Sequence, residues 1–159
     1  MTASDTLRGE TLVGAASAAA AAAAAFVREA KSAVSEAVMR GVRIDNDEFD
    51  RKQRAAHGLA WMATLSECLK ATAKWADERH GAGQLNRLNE CAVIVGFSEY
   101  LGQLIGGLPM GQNEIVRPSE FGLSLAAADL AGNPAVARFV SMDGSCCRSE
   151  LTQIGRAHV

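Results

Sequence analysis

A chain of 159 residues with 48% hydrophobic residues carries enough apolar material for one domain with a real core. Its net charge of −2 supplies no cationic field to attract nucleic acid or an anionic membrane, and aromatic residues, at 5%, are too few for base-stacking platforms. The composition predicts an Ala-rich, helix-rich soluble protein with neither of those partners.

The first predicted element is a helix over about residues 7–40, which at ~1.5 Å per residue would be ~50 Å long. Val27, Val34 and Val38 recur at bundle spacing, with Ala30 and Ala37 between them. Its alanine run, residues 15–25, invites a signal-peptide reading. Asp5 and Glu10 offset Arg8, so the preceding segment lacks a net positive charge. Alanine is also barely apolar on a membrane scale but is the best helix former. A long helix with a small-residue face is the better reading. Gly41 stops it, and Asp45, Asn46 and Asp47 offer caps for the next helix.

The second helix is predicted over about residues 47–80. Leu59, Met62, Leu69, Ala73 and Ala76 make one stripe. Trp61, Leu65, Cys68, Thr72 and Trp75 make another beside it. An apolar arc that wide implies at least two neighbours. The charged side allows Glu67 with Lys70 and Lys74 with Glu78, worth about 0.2–0.5 kcal/mol each.

Gly81-Ala-Gly83 turns the chain into a third helix over about residues 84–105, apolar nearly all round from Cys91 onward and therefore predicted to be buried. Ala92 with Gly96, and Gly102 with Gly106, are small residues four apart that permit close backbone approach. Glu99 and Gln103 interrupt the apolar run, so a membrane span is a poor reading of it. A loop follows, Gly106-Gly-Leu-Pro-Met-Gly-Gln-Asn-Glu-Ile-Val-Arg-Pro118, then a short helix over about 124–131 and another turn capped by Asn133 with Pro134 at its first position. No strand of convincing alternation is visible. The predicted fold class is all-α: an antiparallel helical bundle of three long helices plus short C-terminal helices, occupying residues 1–140.

Residues 141–159 are expected to be an irregular, non-native tail. Ile154-Gly-Arg-Ala-His-Val159 is what one reading frame of a common sequencing-library adapter encodes, and Gln153 fits the preceding bases. That reading makes the chain an open reading frame cut by the end of a DNA fragment, and gives Ser145-Cys-Cys-Arg148 no functional weight.

No chemistry-bearing constellation emerges. Cys68, Cys91, Cys146 and Cys147 contain no C-x-x-C spacing, and adjacent cysteines make a poor disulfide framework, which favours a reducing, cytoplasmic setting. His57 and Cys68 share a helical face but lie about three turns, ~16 Å, apart, too far to ligate one metal. His57 reads as a half-buried packing residue, His80 as a helix-end residue favoured by the dipole, and His158 as part of the tail. Glu99, in the most apolar stretch, needs a partner if buried; an ion pair with Arg117 or Arg54 is the expectation, ahead of a functional base. The glycines of residues 102–111 match neither GxGxxG nor a GK[ST] ending. Catalytic, cofactor-binding and metal residues are accordingly all assigned as none.

Several segments together resemble a known extension. Arg54-Ala-Ala-His-Gly-Leu-Ala-Trp61, Lys74-Trp75, Gly96-Phe-Ser-Glu-Tyr-Leu-Gly-Gln-Leu104 and Gly107-Leu-Pro-Met-Gly-Gln-Asn-Glu-Ile-Val-Arg-Pro118 are similar to the helical N-terminal region of bacterial acyl-CoA dehydrogenases of the methylsuccinyl-CoA dehydrogenase type. The resemblance covers about residues 5–140 and is densest from 54 to 122. It implies a parent flavoenzyme using FAD to α,β-dehydrogenate a short branched acyl-CoA, with its flavin pocket and catalytic carboxylate in domains beyond this extension. None of those residues maps onto this chain, so the polypeptide alone is expected to be inactive and free of FAD. Its implied partners are the parent's catalytic domains and, in a homo-oligomer, further copies. The alternative reading is a stand-alone helical interaction or scaffold protein, with residues 108–117 as its docking surface.

Overall fold

Heptad-like spacing of small and apolar residues organises the first helix. In the computed structural model, which describes residues 7–142 and 144–156, α1 (Gly9–Val38) buries Leu12, Ala16, Ala19, Ala23, Phe26, Ala30 and Val34 along one stripe. The three- and four-residue steps keep that stripe on one face. Across from it, α3 (Gln53–Gly81) buries Met62, Leu65, Leu69, Ala73 and Ala76. These two helices make the most extensive packing in the molecule. The many alanines favour the short end of the ~8–10 Å range of interaxial distances.

The direction of each rod follows from what meets at its ends. A Cβ built on Gly9, at the start of α1, would lie 3.7 Å from His80 in the last turn of α3, so these helices are antiparallel. The Gly9 N–H also donates to Glu90 at the start of α4 (Arg87–Gly106), 2.9 Å away. Thus α4 runs parallel to α1 and antiparallel to α3. Among the described residues the fold is helical apart from two ribbons of two-residue strands. The expected all-α bundle of three long helices is what is observed.

Capping residues act where the sequence placed them. Asp45 accepts from the N–H groups of Asp47 (3.0 Å) and Glu48 (3.1 Å) at the head of α2 (Asn46–Arg51). Asn133 accepts from Ala135 and Val136 at the head of α6 (Pro134–Val140). Asn86, unforeseen, does the same for α4 through Asn89. The short helix α5 (Ser124–Gly132) lies between them in the chain, and α6 closes the core by setting Phe139 against Phe97, ring centroids 4.8 Å apart.

Five expectations need correction. α1 stops at Val38 rather than 40, because residues 39–44 turn back as a hairpin, β1 (Met39–Arg40) on β2 (Arg43–Ile44), through Gly41 at φ +64°. The second helix is not continuous. Lys52 leaves helical geometry and separates α2 from α3. The α2 segment has Phe49 as its one large apolar residue and buries none of its side chains. The third helix starts at Arg87, not 84. The small residues of α4 bring no backbone close: a Cβ on Gly96, Gly102 or Gly106 would meet nothing within 4 Å.

The fifth correction concerns residues 141–159, of which Ser145–Arg156 form a helix, α7, packed on α4. Cys147 is buried and Leu151 partly so, four residues apart on one face, which is all a docked helix requires. His158 lies outside the described residues.

Candidate functional site

The loop after α4 is where the chain makes its least generic structure. Gly107, at φ +132°, lets the chain leave α4 and pass so close to Ile115 that a Cβ would sit 2.7 Å from that side chain. Two short strands then pair, β3 (Leu108–Pro109) with β4 (Ile115–Val116), Leu108 opposite Val116. Both are buried. Val116 fits against α3 because Gly58 has no side chain there, and Phe121 from the following 3-10 turn (Pro118–Phe121) closes on the same glycine. Gly122, at φ +73°, ends the segment.

Arg54 fastens this strap to α3. Its Nε donates to Glu120 Oε2 (2.9 Å), its Nη1 to Glu114 Oε1 (3.0 Å) and its Nη2 to the Ile115 carbonyl (2.7 Å). One planar guanidinium therefore joins three points of the strap. The Arg117 N–H donates to Glu120 as well, at 2.9 Å. The guanidinium first, and that N–H next, hold the Glu120 carboxyl below its ordinary range, while Glu120 raises Arg54 in return.

Between strap and helix lies an open cleft of about 760 Å³, lined by Phe49, Arg51, Arg54, His57 and Glu114 among others. Its cations are already taken. Arg51 is paired with Glu48 at 2.9 Å, and Arg54 is held as described. His57 accepts from the Trp61 indole N–H at 3.2 Å. It is exposed, not half-buried as expected, because the Trp61 side of α3 faces water.

The other predicted residues are dispersed. Glu99 is half exposed, since α4 turns it, like Ala92 seven residues before, to the open edge. Its partner is Arg148 of α7 rather than Arg117 or Arg54. Cys68 is half-buried and His80 exposed at opposite stretches of α3. Among the described residues no group of three His, Cys, Asp or Glu side chains could hold a metal ion.

The buried carboxylate is Glu90, which the sequence reading passed over. It lies 3.7 Å from Arg8 and 3.8 Å from Arg87, besides accepting from Gly9. Its only local sign was Arg87 three residues earlier on the same helix. Arg87 also forms a two-pronged bond to Glu150 at 2.8 and 3.0 Å. Beside that pair the Cys91 thiol is pushed up to about 12, by burial first and then by the neighbouring Cys147.

The cleft is open and its donors are engaged, and the bundle interior is filled by side chains.

No family model matches the sequence. Over 101 residues, 64% of its length, the chain is 33% identical to (2S)-methylsuccinyl-CoA dehydrogenase of Cereibacter sphaeroides. It spans 18% of that enzyme's length. The resemblance read from residues 54–61, 74–75, 96–104 and 107–118 is therefore borne out as homology to part of a methylsuccinyl-CoA dehydrogenase.

Proposed function

We propose that this chain serves as an accessory helical domain of a FAD-dependent acyl-CoA dehydrogenase, the parent reaction being α,β-dehydrogenation of a short branched acyl-CoA such as methylsuccinyl-CoA. The observation that carries the reading is the 33% identity over 101 residues to that dehydrogenase. The polar groups of the strap and cleft support it: they are spent on holding secondary structure together, as a structural module requires. In this reading the flavin, the acyl-CoA cleft and the catalytic base belong to other parts of the parent polypeptide, in a cytoplasmic enzyme. Glu99, paired with Arg148, has no catalytic part in it.

Expression of the 159-residue chain alongside the uninterrupted reading frame from the source DNA tests this. The short chain is expected to be colourless and inert toward methylsuccinyl-CoA. The longer product is expected to be yellow and to reduce an electron acceptor when given that thioester. A flavin-containing, active 159-residue preparation, or a longer frame without a dehydrogenase, overturns the proposal.

A further inference from the structure

Six large apolar side chains stand in water at one end of the bundle: Met39, Val42, Ile44, Phe49, Trp61 and Ile115. They fall in two groups, one on the hairpin and one around the cleft, joined in the chain where β2 runs through Asp45 into α2. Met39 and Ile44 are cross-strand partners, with Val42 in the turn between their strands. Phe49 lines the cleft with His57 and Glu114. Trp61 is bonded to His57, and Ile115 adjoins Glu114. Exposure reaches 92% at Val42 and 59% at Ile44, so these two side chains contribute little to the bundle's own core. The remaining exposed large apolar residues, Leu88, Leu125 and Val140, lie far apart in the chain. Scattered apolar residues need no explanation, whereas a contiguous group marks a contact surface. Ion pairs lie on the same segments: Arg40 with Asp45, Arg51 with Glu48, and Arg54 with Glu114 and Glu120. An apolar centre with a polar rim is the ordinary anatomy of an interface.

We propose that this end of the bundle, centred on the 39–44 hairpin, Phe49 and Trp61, is the surface on which the rest of an acyl-CoA dehydrogenase polypeptide docks. The inference rests on the function proposed above and adds the face that does the docking. Its occupant follows from the comparison: this chain spans 18% of its dehydrogenase relative, so the greater part of that polypeptide is available to cover the patch. A patch of six side chains is small for association between free molecules. It suffices within one polypeptide, where the linked partner is present at an effective concentration of the order of millimolar.

The test compares backbone amide exchange at Val42, Arg43 and Ile44 in the 159-residue chain and in the longer product of the same gene. Docking slows exchange there by about ten-fold or more in the longer protein. The paired substitutions Val42→Glu and Ile44→Glu restore fast exchange at Arg43 while leaving the helical circular dichroism unchanged, since neither side chain is in the core. Ala21→Glu, on the exposed face of α1, leaves the protection in place. A longer product that is an active dehydrogenase yet exchanges these amides as fast as the short chain overturns the docking face alone. A longer product with no dehydrogenase activity overturns the functional reading on which it rests. Protection already present in the short chain, rising with its concentration, overturns the proposal by assigning the face to a second copy.

Discussion

Gly58 and Val116 occupy one space: a Cβ on the glycine would lie 2.7 Å from Val116 Cγ1 and 3.0 Å from the Phe121 ring. Val116 is fully buried, and a β-branched side chain cannot swing away cheaply. Gly58→Ala would ordinarily stabilise a helix interior by about 1 kcal/mol, but overpacking of this kind costs about 1–3 kcal/mol. The expected result is a net loss of up to about 2 kcal/mol in urea denaturation. Val116→Ala makes room, so Gly58→Ala costs less in that background than in the wild type. Equal costs in both backgrounds would show that the two residues do not compete.

The strap should loosen in acid. Arg54 and the Arg117 N–H depress the Glu120 carboxyl, and a group whose folded pKa is lowered contributes stability above its unfolded pKa. That contribution is lost as pH falls through the folded value, below the ordinary glutamate range. NMR shifts of the Leu108 and Val116 amides, followed down a pH series, should move together there. Glu120→Gln removes that step. Arg54→Lys keeps the charge but loses the fork, and should leave the strap ordered at neutral pH but less protected from amide exchange. A strap insensitive to both changes would contradict the clasp.

Glu90 joins the first turns of α1 and α4. Glu90→Ala leaves the Gly9 N–H without its acceptor and takes a counter-charge from Arg8 and Arg87, at a cost of about 1–3 kcal/mol. Glu90→Gln keeps an oxygen for Gly9 and costs less. Urea denaturation of the two variants should rank them in that order.

Cysteine labelling separates the thiols by environment. With its pKa pushed up to about 12 and no exposed surface, Cys91 is almost entirely protonated near neutrality. Iodoacetamide on the folded protein should leave Cys91 unmodified, and urea should open it to complete labelling. Peptide mass mapping reads the result. Alkylated Cys91 in the folded state would mean that α7 does not cover it.

Much of the fold was legible because its signals are local. The spacing of Met62, Leu69, Ala73 and Ala76, the cap at Asn133 and the break at residues 81–83 each depend on residues a few positions apart. The departures arose where distant chain decides local geometry. Glu99 looked buried from its apolar neighbours in sequence, but the rotation of α4 against its partners put Glu90 inside and Glu99 at the edge. The tail looked irregular from its composition, yet Arg87 and the α4 surface give Ser145–Arg156 a place to pack. Arg54 was read as a possible partner for Glu99, and its real partners could not be found by spacing.

By itself, then, the sequence determined that the chain forms helical rods and where most of them begin and end. Helix periodicity and caps act within a turn or two of chain. Tertiary structure alone decided the rest: which carboxylate is buried, what holds the loop, and which end is left apolar. Those outcomes depend on contacts such as Arg54 with Glu120, 66 residues apart, and Gly9 with Glu90, 81 apart. Such pairs carry no periodic signature, because they are chosen by how the packed rods rotate and cross.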